Sequence, residues 1–143
     1  ETMDWFTQEP KPLIDRRYPT KPGRTHTFIA GSSMGGLMSL YAVTAYNDVF
    51  SRAACLSPSL WVDPPKVRAM IRRARIAPDT LIYMDYGAQE MGNHDQTLEA
   101  LCRTGSDLLH AGVDLTLRIV PGGSHCEASW AERVPLFFQC LGL

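Results

Sequence analysis

The sequence predicts an α/β fold of three layers, in which helices cover both faces of a mainly parallel sheet. Short apolar runs alternate with segments of helical periodicity four times along the 143 residues. Strands and helices that alternate in this way favour parallel pairing, because each helix returns the chain to the starting edge of the sheet. No repeat, low-complexity tract or internal linker divides the sequence. We therefore expect a single domain over residues 1–143.

Glycine and proline mark the ends of several predicted elements. A short surface helix is expected to begin near Pro12, since proline is tolerated in a first helical turn. Gly31 ends the first apolar run, Gly87 ends the third, and Gly112 ends the longest helix. The predicted strands lie at residues 26–30, 53–56, 81–86 and 115–120. The longer predicted helices lie at residues 34–47, 67–76, 94–111 and 128–141.

Charge and composition narrow the classes of partner. The formal net charge is -1, from 14 basic and 15 acidic residues without long blocks, which argues against nucleic acid and anionic membranes as partners. No apolar run reaches the roughly 20 residues of a membrane-spanning helix, and the first residues lack a signal-peptide pattern. The spacing of the four cysteines indicates free thiols, so we expect a soluble, cytoplasmic protein. Neither a phosphate-binding loop nor a metal-ligand pattern occurs, and no cofactor or metal is expected.

Residues 31–36, with the sequence Gly-Ser-Ser-Met-Gly-Gly, join the first predicted strand to a helix. A serine at the centre of a G-x-S-x-G segment in this context lies on a sharp turn that exposes its hydroxyl. Small residues on either side, Gly31 and Gly35, avoid collisions with the neighbouring strand and helix. Only Ser33 has glycine at both offsets, so Ser33 rather than Ser32 is the predicted nucleophile. The backbone amide of Met34, at the start of the helix, is the predicted oxyanion donor.

A nucleophilic serine needs a histidine that accepts its proton, and four histidines compete for this function. His125 follows the fourth predicted strand. The carboxyl ends of parallel strands meet at one edge of a sheet, so His125 is expected beside Ser33 and is the predicted base. His26 precedes the first strand and lies at the opposite edge, while His94 and His110 lie on the helix 94–111. We expect these three histidines to be structural.

The group that orients the histidine is predicted in the loop after the third strand, because the chain order in this kind of site is serine, acid, histidine. Glu90 is the first carboxylate of that loop and is the favoured acid. Asp85, within the strand, and Asp95, near a helix cap, remain alternatives. Trp61, after the second strand, is a candidate for lining a substrate pocket, although packing against its own loop is an equally good interpretation.

Five segments together resemble the esterase family that includes feruloyl esterases, enterochelin esterases, S-formylglutathione hydrolase and the mycolyltransferases. Residues 31–37 resemble the segment around the nucleophile of that family, and residues 87–90 resemble its acid loop. The other matching segments are residues 12–20 ahead of the nucleophile, 50–61 after it, and 122–125 with Trp130 at the end of the chain. The resemblance implies the C-terminal half of an esterase catalytic domain with an α/β-hydrolase fold.

The resemblance also implies a function and its alternatives. The expected reaction is hydrolysis of a small carboxylic ester through an acyl-enzyme on Ser33. Acyl transfer with the same three residues is one alternative, and a non-catalytic binding or assembly domain with an incomplete oxyanion hole is another. Members of the family have further strands ahead of the nucleophile, so the strand at Phe28 is expected to have an open edge. A second copy of the chain or a separate N-terminal segment is the expected cover of that edge.

Overall fold

The computed structural model describes residues 1–90 and 94–143 and contains one parallel sheet of four strands. The strands are β1 (Phe28–Ser32), β2 (Arg52–Leu56), β3 (Leu81–Gly87) and β4 (Asp114–Val120). They lie side by side in chain order, and each neighbouring pair is parallel. Because all four strands point the same way, the loops that follow them gather at one edge of the sheet.

Helices pack on both faces of the sheet. The helices of the described residues are α1 (Thr2–Gln8), α2 (Pro10–Arg17), α3 (Met34–Ala45), α4 (Pro64–Arg73), α5 (His94–His110), α6 (Glu127–Ala131) and α7 (Val134–Cys140). Buried residues of α3, α4 and α5 form one core cluster with Ala53 and Cys55 of β2. A second cluster contains Phe137 of α7, Leu141 directly after the end of α7, and Ala54 and Leu56 of β2. Successive β2 residues thus face opposite layers, as the strand pleat requires, and the predicted three-layer fold is confirmed.

The N-terminal elements differ from the sequence prediction. An unpredicted helix, α1, precedes the expected one, and its Met3 is buried in the larger core cluster. The next helix begins at Pro10 rather than near Pro12. The first strand runs to Ser32 instead of ending before Gly31, because Gly31 pairs with Cys55 of β2. Pairing in the sheet outweighs the weak local signal of one glycine.

The C-terminal segment forms two helices where the periodicity predicted one at residues 128–141. Helix α6 ends at Ala131, and α7 begins at Val134 with Pro135 in its first turn. Proline has no backbone N–H, so Pro135 cannot donate to the carbonyl of Ala131 as a continuous helix would need. The break has a consequence for the site, because Arg133 lies in it and is almost fully buried.

Strand β1 is an edge strand, and the backbone hydrogen bonds show which of its residues face outward. The carbonyl of Thr27 accepts from Ser51, and the N–H of Ser33 donates to Leu56. Backbone groups alternate in direction along a strand, so those of the even-numbered residues 28, 30 and 32 point away from β2. Within residues 1–90 and 94–143, no strand pairs with that side.

The cysteines and the helices each have one further property. The four cysteines are free thiols. Among the helices described above, none combines the length and the apolar character that crossing a membrane requires.

Candidate active site

Ser33 lies between the last residue of β1 and the first residue of α3, with a backbone conformation of φ 55° and ψ -119°. A positive φ is rare for a residue with a side chain and costs of the order of 1–3 kcal/mol. Two backbone hydrogen bonds hold this conformation: Ser33 N–H donates to Leu56 at 2.9 Å, and the Ser33 carbonyl accepts from Ser59 at 3.1 Å. The loop after β2 therefore fixes the turn that carries the serine.

The glycines around Ser33 differ in the space that they leave. A Cβ at Gly31 would lie 2.5 Å from the backbone of Gly35, so β1 and α3 can approach only if residue 31 is glycine. A Cβ at Gly35 would meet no atom of residues 1–90 and 94–143 within 4 Å, so the expectation that Gly35 must also be small is wrong. In α3, the position that has no room for a side chain is Gly36, where a Cβ would lie 2.8 Å from the carbonyl oxygen of Leu56. The sequence pattern did not single out Gly36.

The structure brings Ser33, His125 and Glu90 together in one hydrogen-bonded series. His125 Nε2 lies 2.9 Å from Ser33 Oγ, and His125 Nδ1 lies 2.8 Å from Glu90 Oε2. Both contacts are satisfied when Nδ1 carries the proton and donates to the carboxylate while Nε2 accepts from the serine hydroxyl. The Glu90 side chain is 2% exposed and that of His125 is 28% exposed. The carboxylate is thus shielded from water, while the imidazole remains accessible.

Of the three candidate acids, the structure places Glu90 against His125 and the other two elsewhere. The carboxylate of Asp85 is fully buried and accepts from Tyr83 at 2.8 Å and from Arg133 at 3.0 Å. Burial raises the pKa of the Asp85 carboxyl, and the contacts with Tyr83 and Arg133 oppose that rise. Asp95 lies in the first turn of α5 and is exposed.

Glu90 Oε1 has its own set of donors on the side away from the histidine. The backbone N–H of Gly87 donates to it at 2.6 Å, and the hydroxyl of Ser57 donates a short hydrogen bond. Arg133 Nη1 lies 3.8 Å from the same oxygen. The two carboxylate oxygens therefore have separate functions: one is fixed to the protein interior, and the other contacts His125.

Ser57 and Arg133 are site residues that sequence reasoning missed. Arg133 Nη1 donates to Ser57 Oγ at 3.0 Å, and Trp130 Nε1 donates to the same oxygen at 3.0 Å. The Trp130 ring also packs edge-on against His125, with ring centroids 4.8 Å apart. Arginine is mostly exposed in proteins, so its sequence position between two short helices suggests a surface residue. Only the tertiary structure shows that Arg133 is 3% exposed.

With this geometry established, the comparisons with known proteins identify the family. Residues 1–135 match the family described as Putative esterase. The chain belongs to this esterase family. The match includes the three hydrogen-bonded residues Ser33, Glu90 and His125, and it confirms the resemblance seen in the sequence segments. A search of curated protein sequences finds no match.

Solved structures of esterases share the fold at low sequence identity. A ferulic acid esterase is 20% identical with a TM-score of 0.74, and the match covers 96% of this chain and 58% of that one. The enterobactin esterase FES from Shigella flexneri is 22% identical with a TM-score of 0.75, covering 95% of this chain and 36% of that one. S-formylglutathione hydrolase (FrmB) from Staphylococcus aureus is 19% identical with a TM-score of 0.69, covering 91% and 56%. The chain thus spans less than two thirds of each of these structures.

In this esterase-family chain, the remaining residues singled out from the sequence are Met34, Trp61 and the other three histidines. Met34 opens α3, so its backbone N–H belongs to a first turn that has no acceptor within the helix. Trp61 lies on the loop after β2 with 67% of its surface exposed. His26 ends a 3-10 turn before β1, at the opposite edge, and His110 Nδ1 donates to the Ser106 carbonyl at 2.7 Å. His94 begins α5.

No metal centre is formed by the part of the chain that the structure describes. In residues 1–90 and 94–143, no group of three or more His, Cys, Asp or Glu side chains is arranged to hold a metal ion.

Cys126, next to His125, has its thiol near the hydroxyl of Ser124, and this hydrogen bond holds the pKa of the thiol below its usual value.

Proposed function

We propose that this chain hydrolyses a carboxylic ester through an acyl-enzyme on Ser33. The observation that carries the proposal is the hydrogen-bonded series from Ser33 Oγ to His125 at 2.9 Å and from His125 to Glu90 at 2.8 Å. A serine hydroxyl is a weak nucleophile at neutral pH, and a histidine that accepts its proton makes it reactive. Membership of the esterase family supports the same reaction.

The first half of the reaction forms the acyl-enzyme. Ser33 Oγ attacks the carbonyl carbon of the ester while His125 Nε2 takes the hydroxyl proton. Glu90 keeps the proton on Nδ1 and stabilises the imidazolium that results. The Met34 N–H donates to the oxyanion of the tetrahedral intermediate. When the intermediate collapses, the bond to the alcohol breaks and His125 returns the proton to the departing oxygen.

The second half releases the acid. Water enters where the alcohol left, His125 accepts a proton from it, and the hydroxide attacks the acyl carbon. Collapse of this second intermediate breaks the bond to Ser33, which regains its proton from the imidazolium. Transfer of the acyl group to another alcohol would use the same steps with that alcohol in place of water. No contact of the described residues favours such an acceptor, so we propose hydrolysis.

We further propose that Trp61 contacts the substrate and that additional polypeptide completes the oxyanion hole. The exposed Trp61 lies two residues after Ser59, whose hydroxyl is 3.4 Å from Ser33 Oγ. Oxyanion holes of this fold use a second N–H from a loop elsewhere in the sheet. The unpaired edge of β1 and the partial coverage of the solved structures support a location of that loop outside these 143 residues, in a preceding segment or a second copy.

A fluorophosphonate probe tests the nucleophile directly. In the full natural chain, which would include any preceding segment, the wild type should be labelled on Ser33 and should hydrolyse a p-nitrophenyl ester. Ser33→Ala should abolish labelling and lower kcat by about a thousandfold or more. Ser32→Ala is the matched control, since it removes the neighbouring hydroxyl, and it should retain both labelling and hydrolysis. A correctly folded wild type that is not labelled would favour a non-catalytic binding domain.

A further inference from the structure

We propose that Ser57, fixed by Trp130 and Arg133, is a positioning residue that holds the Glu90 carboxylate in the orientation that His125 requires. This inference rests on the proposed function, because it assigns a residue to the same reaction. Ser57 is 2% exposed, and no hydrogen bond of the described residues joins its side chain to Ser33; its effect on the reaction is exerted through Glu90.

The hydrogen-bonding capacity of a hydroxyl determines the direction of the contact between Ser57 and Glu90. A serine hydroxyl can donate once and accept twice. Trp130 Nε1 and Arg133 Nη1 are donors only, and each lies 3.0 Å from Ser57 Oγ. They occupy the two acceptor positions, so the single proton of the hydroxyl is directed at Glu90 Oε1. The hydroxyl is therefore fully satisfied and has one available orientation.

The backbone of Ser57 is held as firmly as its side chain. Ser57 has a φ of 43°, an unfavourable value for a residue with a side chain. Its N–H lies 3.0 Å from the backbone carbonyl of Asp85 and 3.1 Å from one oxygen of the Asp85 side chain. Two residues later, Ser59 donates its N–H to the carbonyl of Ser33. One turn after β2 thus contacts both ends of the series that His125 joins.

The position of Ser57 also keeps Arg133 beyond direct hydrogen-bonding distance of Glu90. Arg133 Nη1 lies 3.0 Å from Asp85 Oδ1 but 3.8 Å from Glu90 Oε1, and the Ser57 hydroxyl bridges the guanidinium and Glu90. Without that hydroxyl, the guanidinium would be free to move toward Glu90. A charge-assisted bond to Arg133 would compete with the Glu90–His125 contact for the orientation of the carboxylate. We expect loss of the hydroxyl to slow the chemical step rather than to weaken substrate binding.

The experiment compares Ser57→Ala with Ser51→Ala in the full natural chain. Ser51 is also buried, at 1% exposure, but its hydroxyl has no hydrogen-bond partner among the described residues, so it matches the loss of a buried hydroxyl without the loss of a contact. Ser57→Ala should lower kcat for a p-nitrophenyl ester by about tenfold to a hundredfold, as expected for loss of a hydrogen bond to a charged group. KM should stay near the wild-type value, and Ser51→Ala should leave kcat near the wild-type value.

A double-mutant cycle separates positioning from a general effect on the fold. If Ser57 acts through Glu90, Ser57→Ala should have little further effect in a Glu90→Gln background. Ser57→Gly lacks the same hydroxyl and relieves the positive φ, so it tests the contact even where Ser57→Ala folds poorly. A kcat for Ser57→Gly and Ser57→Ala close to that of Ser51→Ala would overturn the inference, as would an equal loss in the Glu90→Gln background.

The labelling and kinetic experiments together distinguish failure of the proposed function from failure of the positioning inference. A folded wild type without labelling at Ser33 would refute the proposed function and the positioning inference with it. A wild type that is labelled and hydrolyses ester, together with unimpaired Ser57 variants, would refute only the positioning inference.

Discussion

Replacing Arg133 with methionine should destabilise the fold by about 3 kcal/mol at neutral pH. The Arg133 side chain is 3% exposed, and its guanidinium pairs with the fully buried carboxylate of Asp85 at 3.0 Å. Glu90 Oε1 lies 3.8 Å away. Methionine has a similar length and no charge, so the substitution removes the guanidinium that lies against both carboxylates.

The magnitude comes from two opposing effects. Removing one partner of a buried ion pair costs about 3–5 kcal/mol, because the remaining charge is left without compensation. Against this, Arg133 Nε is buried with no hydrogen-bond partner in the part of the chain that the structure describes, and removing an unsatisfied N–H recovers about 1 kcal/mol. The net loss of about 3 kcal/mol is a large part of the roughly 5–15 kcal/mol that stabilises a small domain.

The loss should depend on pH with a definite sign. Burial already raises the pKa of the Asp85 carboxyl, and the ion pair with Arg133 opposes that rise. Without Arg133 the folded-state pKa rises further, so folding favours the protonated acid. The stability of the variant is then highest below the unfolded-state pKa of Asp85 and falls as pH rises through the folded-state value. The difference from wild type should be smaller at about pH 5 than at about pH 8.

Urea denaturation followed by circular dichroism, at both pH values, measures these free energies. Arg103→Met is the matched control, because Arg103 pairs with Glu99 on the surface of α5, where both side chains are 59% exposed. An exposed pair contributes about 0–1 kcal/mol. The reasoning fails if Arg133→Met costs no more than Arg103→Met, or if its cost is the same at both pH values.

Three further changes have expected outcomes. Glu90→Gln should lower kcat by about a thousandfold or more with little change in KM, measured by ester hydrolysis, because the amide cannot stabilise the imidazolium; a loss below tenfold would contradict the assignment. Gly36→Ala should lower the melting temperature, since its Cβ would lie 2.8 Å from a backbone oxygen, whereas Gly35→Ala should not, since its Cβ would meet none of the described atoms within 4 Å. Iodoacetamide should modify Cys126 before Cys55, as mass spectrometry would show, because a hydrogen bond lowers the pKa of Cys126 while burial raises that of Cys55; equal rates would count against it.

The fold class and the order of the site residues could be predicted from the sequence because both depend on local patterns. Short apolar runs identify the strands and apolar residues at three- and four-residue spacing identify the helices, and strict alternation of the two makes the sheet parallel. A parallel sheet then places the residues after each strand at one edge, so Ser33, His125 and a carboxylate near the end of the third strand are expected together from chain order, with Glu90 the favoured acid. The element ends were less predictable. Sheet pairing extended β1 through Gly31, and Pro135 divided the last helix.

The tertiary structure alone decided which carboxylate contacts His125 and what holds it there. Asp85 lies within β3 and Glu90 lies three residues after its end, so the local pattern favours Glu90 but does not exclude Asp85. The choice depends on side-chain direction: Asp85 points toward Arg133 and Tyr83, and Glu90 toward His125. Those contacts join residues distant in the chain, which sequence spacing cannot register. The prediction of Ser33 as the nucleophile depends on six adjacent residues, whereas the orientation of Glu90 depends on packing between three separate segments.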